Sequence, residues 1–218
     1  MFHYKYIWIN FIVLIIAYLI GSINIAIIIT KHKKKDIRKE GSHNAGATNA
    51  LRIYGIKFAA GVFIFDLLKS FIPIMIVYTV KRLIGNQFIL PIIAGVGAIL
   101  GHIFPLYFKF KGGKGVASFM GMVLAYNWVI FLMLAAVFIF ITLTTRYISL
   151  ASVISSTTTP FIGFWKTFNY EGIFGYMQIN TPYPIHAIIV VFAAVIIMLK
   201  HIPNYIRLTN KQENKIKI

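Results

Sequence analysis

A chain of 218 residues that is 59% hydrophobic and 12% charged, with a mean hydropathy of +0.79, falls outside the soluble globular class, whose apolar share is roughly 45–50% and charged share about 25%. The net charge of +17, from 22 Lys and Arg against five acids, sits in short clusters between apolar runs. That is the pattern of cytoplasmic loops beside anionic headgroups, so membrane lipid is expected as a partner and nucleic acid is not. The absence of cysteine excludes disulfides, thiolate metal centres and a thioester intermediate.

The expectation is one integral-membrane domain over residues 1–218, an all-α polytopic bundle. Residues 6–30 are long enough to span a hydrocarbon core of about 30 Å at about 1.5 Å per residue. Lys31, Lys33, Lys34 and Lys35 follow and no small-residue cleavage site is evident, which predicts an uncleaved first helix with its N-terminus outside. Gly21 within it suits close helix packing, and Ser22 and Asn24 suit either packing or a polar wall beside a site. Residues 41–55 then form a polar island containing Gly41, Ser42, Asn44, Gly46, Thr48, Asn49 and Arg52. Small residues admit a ligand close to backbone N–H groups, while the amides, hydroxyls and guanidinium supply donors, the chemistry of an anion site. A plain loop between two membrane helices is the alternative.

Residues 58–80 read as a second helix in which Asp66 and Lys69 share a face and neutralise one another, a structural pair. Lys81 and Arg82 mark a turn on the far side. Residues 88–108 return, with Gly97 and Gly101 at the spacing of close-packed membrane helices. They deliver a second island, 101–118, where Gly112, Gly113 and Gly115 surround Lys114 just before an apolar run opens. Such a turn aims N–H groups and the positive end of a helix dipole at one spot, which suits phosphate. It is not a P-loop, because Phe108 replaces the first glycine and Gly115 the Ser or Thr. His102 beside it is a candidate substrate contact or simply a hydrogen-bonded residue.

The run 116–145 is divided into two short helices by Tyr126-Asn127-Trp128. Arg146 returns the chain inward, Ser149 and Ser152 open a run that ends near Trp165, and 166–184, with Pro182 and Pro184, reads as an external loop. A last helix over 185–199 leads into a polar tail holding His201, Asn204 and Glu213. Seventeen of the 22 basic residues fall on the inner segments of this path, which supports about seven transmembrane helices with the C-terminus cytoplasmic. Five helices are the alternative, and either count puts the three polar islands on one face. There Arg52 and Lys114 offer charge, Ser42, Asn44, Asn49 and Asn204 hydrogen bonds, and His201 a bond or a proton. Only Asp36, Glu40 and Glu213 supply carboxylates, so the face suits anions and poorly suits a metal or a Ser-His-Asp triad. A transporter or exchanger of an organic phosphate is the competing reading, but it calls for polar groups near the midplane and usually an internal repeat.

GSHNAGATNALR, GHIFPLYFKFKGGKGVAS and HIPNYIRL, in this order and at these intervals, resemble the three signature segments of the bacterial acyl-phosphate:glycerol-3-phosphate acyltransferases. TRYISLAS and the FDLLK pair also look like family features, so the resemblance covers about residues 21–213. It implies transfer of a fatty acyl group from acyl phosphate to the sn-1 hydroxyl of glycerol 3-phosphate, giving lysophosphatidic acid and phosphate, the first acylation of phospholipid biosynthesis. It also implies seven helices, the cytoplasmic face of a bacterial cell membrane, no acyl-CoA or acyl-carrier-protein donor, no cofactor, and an acyl-phosphate-forming enzyme as a partner. The HxxxxD spacing of another glycerolipid acyltransferase class is missing, since Ile37 stands five residues after His32.

On this reading Ser42, Arg52, Lys114, His201 and Asn204 are expected to be catalytic. Gly41, Asn44, Gly46, Thr48, Asn49, Gly112, Gly113, Gly115, Ser149 and Glu213 are expected to bind substrate phosphate. The sequence departs from the family pattern at Asn24, where proline is usual, and at His43, Ser70 and Lys211, where glycine is. His43 matters most, because glycine there permits φ > 0; histidine is among the residues least penalised in that region, which predicts a tolerated change.

Overall fold

The computed structural model describes residues 4–163, 177 and 183–216. The expected first helix is two helices, α1 (Tyr4–Gly21) and α2 (Ile25–His32). Asn24, at φ −115° and ψ 103°, leaves the helix and caps α2 by accepting a hydrogen bond from Ile27 N at 3.0 Å. Tertiary bonds hold this break open. Lys69 Nζ donates to the freed carbonyl of Ile23 at 3.1 Å, and Ser22 Oγ accepts from Leu106 N at 3.2 Å. Asn24 and Ser22 are therefore ties that fix the start of the chain to the elements carrying the two polar islands.

A short helix, α3 (Ala47–Tyr54), is separated from α4 (Ile56–Ile84) by Gly55 alone, at φ +79°. Helix α5 (Ile92–Ile103) lies directly against α1. A Cβ at Gly97 or Gly101 would run into the α1 backbone at Leu14 or Tyr18, so the close approach read from the glycine spacing is present. Asn127 divides the next apolar run into α6 (Val116–Tyr126) and α7 (Trp128–Thr145), its Oδ1 accepting from Val129 N at 2.9 Å and Ile130 N at 3.1 Å. Helix α8 (Ile148–Gly163) follows, and α9 (Ile185–Thr209) closes the bundle. The expected end of the last helix near residue 199 is wrong: α9 continues through Pro203 to Thr209, which puts His201 and Asn204 one turn apart on a helix face. The loop expected over 166–184 lies outside the described residues except for Met177, Tyr183 and Pro184, as does Trp165.

Among the described residues four helical stretches are long and apolar enough to cross a membrane, Ile7–His32, Ile56–Ile84, Trp128–Thr145 and Ile185–Thr209, and shorter apolar helices occupy Ile92–Phe108, Val116–Tyr126 and Ile148–Thr158. Their exposed surfaces carry large apolar side chains such as Phe11, Ile64, Phe140 and Phe192, as lipid-facing helices require. The main core joins α4, α5, α6 and α9 through Ile74, Ile99, Met122, Tyr126 and Ile197. A second, smaller core of Ala26, Ile27, Ile37, Ala45, Ala50 and Val62 lies under the first polar island and gives that loop its own floor.

Candidate active site

The first island is built around the side chain of Asn49, which is 1% exposed. Its Oδ1 accepts from Ser42 N at 2.8 Å, and its Nδ2 lies within 3.0 Å of the carbonyls of Ile37, Glu40 and Asn44. Asn44 Oδ1 in turn accepts from Gly46 N at 2.9 Å. These bonds curl residues 41–46 into a fixed loop in which His43 sits at φ +56°, the left-handed region that glycine enters most easily and histidine at moderate cost. The loop ends at the N-terminus of α3, whose cap residue Gly46 offers no side-chain bond. The first N–H groups of α3 are therefore open to a ligand.

The second island wraps onto the end of α5. Gly113 N donates to His102 O at 3.1 Å and Gly112 N to Ile103 O at 3.3 Å. A Cβ on either glycine would collide with His102, so the turn needs both. Gly115, at φ +89°, caps α6 without a side-chain bond, which leaves a second open helix N-terminus beside Lys114.

Helix α9 and the residues after it supply the third side. Lys114 Nζ donates to Asn204 Oδ1, and Asn204 Nδ2 donates to Glu213 Oε1 at 3.1 Å. Glu213 also accepts from Arg207 Nε at 2.8 Å and pairs with Arg52 at 3.7 Å. Burial pushes the Lys114 ammonium down to about 8, with Arg207 and Arg52 adding to the shift and Glu213 opposing it. The Arg52 guanidinium is lowered too, mainly by burial. His201 Nδ1 donates to Ile197 O at 2.8 Å, which fixes the tautomer of the neutral ring and leaves Nε2 as an acceptor.

One cavity joins all three islands. Of the residues singled out in the sequence, Ser42, Asn44, Gly46, Thr48, Asn49, Arg52, Lys114, Gly115, Ser149, His201, Asn204 and Glu213 line it. Gly41, Gly112 and Gly113 do not; they shape the two turns. Four polar lining residues were not among the expected catalytic and phosphate-binding residues: Asp66, Ser152, Arg207 and His102, the last read from the sequence as a candidate substrate contact or a hydrogen-bonded residue. Asp66 is fully buried and pairs with Lys69 Nζ at 2.7 Å, as the sequence suggested, but it also meets His102 Nδ1 at 3.3 Å. The signal for it was available, because an ionisable residue inside a membrane helix points to a functional site by default. The remaining wall is apolar, from Phe63, Met120, Phe138 and Ile148. Arg52 Nε, Ser149 Oγ and Asp66 Oδ2 are buried and have no partner among the described residues, the condition of groups that await a ligand.

The family described as glycerol-3-phosphate acyltransferase matches residues 11–211. Glycerol-3-phosphate acyltransferase of Mycoplasmopsis synoviae is 40% identical over 219 residues, covering 96% of this chain and 95% of that one. The enzyme of Francisella tularensis is 40% identical over 210 residues, covering 96% and 94%. Crystal structures of PlsY (YgiH), an integral membrane glycerol 3-phosphate acyltransferase, superpose on the fold. Its glycerol 3-phosphate form gives a TM-score of 0.80 at 32% identity, covering 95% of this chain and 96% of that one. The lysophosphatidic acid form gives 0.77 at 31%, covering 95% of each. With these matches running through nearly the whole chain and all three segments that meet at the cavity, the protein belongs to the glycerol-3-phosphate acyltransferase family.

Proposed function

We propose that this acyltransferase takes its acyl group from acyl phosphate and delivers it to the sn-1 hydroxyl of glycerol 3-phosphate at the cytoplasmic face of the cell membrane. Lysophosphatidic acid and phosphate are the products. The observation that carries this reading is the charge at the cavity. Arg52, Lys114 and Arg207 against Glu213, with the carboxylate of Asp66 neutralised by Lys69 at 2.7 Å, leave two net positive charges. The open N-termini of α3 and α6 add about half a charge each. The total matches two phosphate groups, each about −1.5 to −2 near neutral pH, better than one. A donor and an acceptor that both carry phosphate are what such a site can hold together.

Acyl phosphate is a mixed anhydride, so no covalent enzyme intermediate is required. The acceptor oxygen attacks the acyl carbon, the bond from that carbon to the phosphate oxygen breaks, and the proton leaves the hydroxyl for the departing phosphate. Arg52, Lys114 and the loop amides overcome the repulsion of the two anions and stabilise the leaving group. Ser42 and Asn204 orient the phosphates, and His201 Nε2 is a further acceptor for the hydroxyl proton. The apolar wall at Phe63, Met120, Phe138 and Ile148 takes the start of the acyl chain. Seven crossings with the N-terminus outside are the reading that the four long and three short apolar helices among the described residues and the basic bias of the inner segments support.

The test is phosphate release by purified protein given palmitoyl phosphate and glycerol 3-phosphate, with palmitoyl-CoA as the alternative donor and Lys114→Ala as control. Release that needs both substrates, forms lysophosphatidic acid and falls at least about 100-fold in the variant is expected. Turnover with palmitoyl-CoA alone as donor would overturn the choice of donor.

A further inference from the structure

The reaction proposed above makes no use of one buried cluster of ionisable groups. Asp66, Lys69 and His102 form a cluster whose side chains are at most 3% exposed, and two of its members line the cavity. Asp66 Oδ1 meets both Lys69 Nζ and His102 Nδ1. Lys69 is anchored again on Ile23 O, and the main-chain carbonyl of Asp66 accepts from Ser118 Oγ at 3.0 Å. The carboxylate is held through Oδ1 from α4 and α5, the main chain beside it from α6, and its second oxygen, Oδ2, is buried without a partner among the described residues. A structural ion pair has no reason to leave an anionic oxygen unsatisfied in a wall of the substrate cavity, since such an oxygen carries the whole cost of its lost hydration.

The position says what this oxygen meets. Ser118, in the first turn of α6, bonds the main chain of Asp66, and Asp66 lines the same cavity as Lys114, Gly115 and Val116 at the open N-terminus of α6. A phosphate held at that N-terminus places the carbon chain attached to it against the Asp66 carboxylate. An anion is repelled there, and a hydroxyl, with a proton to donate, is the group an unpartnered carboxylate oxygen takes. Oδ1 is already engaged by two neighbours, which suits a rigid hydrogen-bond acceptor. We infer that Asp66 Oδ2 accepts a hydrogen bond from the non-reacting 2-hydroxyl of the acceptor substrate, making it a specificity-determining residue for a hydroxylated three-carbon phosphate. Lys69 and His102 are positioning residues that aim it.

This inference rests on the proposed acyl transfer, and the experiment separates the two. Acylation of glycerol 3-phosphate is compared with acylation of 3-hydroxypropyl phosphate, which keeps the terminal hydroxyl and the phosphate and lacks only the 2-hydroxyl. The wild type is expected to favour glycerol 3-phosphate by about 10- to 100-fold in kcat/KM, the discrimination a hydrogen bond to a charged group provides. The charge-neutral double variant Asp66→Asn with Lys69→Gln is expected to bring that ratio near unity. A ratio measured on one preparation is unaffected by partial loss of folded protein, so a merely structural role leaves it unchanged. Equal use of both acceptors by the wild type overturns the inference whether or not the variant folds, as does an active variant that keeps the wild-type ratio. Failure of the underlying reading looks different: glycerol 3-phosphate itself is then not acylated.

Discussion

Asn49 shows how a residue type that reads as a ligand contact can be the frame of a site. Its side chain meets one donor and three acceptors of the loop that carries it, so nothing of the amide remains for phosphate. Asn49→Ala is expected to destabilise the protein by about 1.5–4.5 kcal/mol, one accepted bond and two N–H donors shared among three carbonyls at about 0.5–1.5 each. It should also reduce kcat/KM by disordering Ser42 and the start of α3. Thermal unfolding beside kinetics checks this, and a variant with unchanged Tm and a raised KM alone would restore Asn49 as a direct contact. Lys114 makes a second residue-scale prediction. Its folded value, about 8, lies below the usual lysine value. The charged form is disfavoured by folding, and between about 8 and the ordinary lysine pKa stability rises with pH while the cation is lost. In the free enzyme kcat/KM should therefore fall as pH rises through about 8. Lys114→Arg, which stays charged, should retain reduced activity without that alkaline fall.

At the scale of elements, legibility followed the range of the interactions. The division between α6 and α7 was readable because Asn127 caps the next helix through bonds to residues two and three ahead. The break between α1 and α2 was not, because Ser22 and Asn24 sit in a strongly apolar run. What opens that run is distant: Lys69 at Ile23 and Ser22 at Leu106. The end of α9 was misplaced for a related reason. Pro203 and the polar residues around it look like a stop, yet helical backbone is what sets His201 and Asn204 side by side toward Lys114. The glycine turns and the cations of the site were legible from composition and spacing. Asp66 was read as an ion pair, correctly, but its place in the cavity wall needed His102 and Ser118 brought from other helices. The α1–α5 contact permits a direct test. Gly101→Leu forces a side chain into the backbone of Tyr18 and Ser22, and a cost of at least about 3 kcal/mol is expected from overpacking at a site that cannot yield. Gly61→Leu, at an open position, should leave thermal unfolding in detergent nearly unchanged.

For the molecule as a whole, the chain closes its cavity with its own C-terminal end. After α9, Gln212 N returns to Arg207 O at 2.7 Å and Ile216 N reaches Arg146 O at 2.9 Å. Arg52 holds Asn214 O at 3.2 Å, and Lys215 lies over the Tyr147 ring at 5.3 Å. This strap ties the end of α9 to α3 and to the turn between α7 and α8, and it delivers Glu213 into the cation cluster. Glu213 was expected to meet substrate, but its oxygens are held by Asn204, Arg207 and Arg52. It keeps three like charges together while the anionic substrates are away. The strap contributes few apolar contacts to the core, and without it Arg52 and Arg207, whose side chains already keep 19% and 38% exposure, open to water instead of remaining buried and unpaired. Removing residues 210–218 should therefore leave Tm within a few degrees of the full chain. Activity should nevertheless fall by at least about 100-fold, because Asn204 and Arg207 lose the partner that orients them toward Lys114. Glu213→Gln separates charge from tethering: with the strap intact, the cluster gains one net positive charge. Its KM for glycerol 3-phosphate should become more sensitive to salt, as screening predicts for an uncompensated cation. A truncated protein of full activity would show that the cations are arranged by the helices alone.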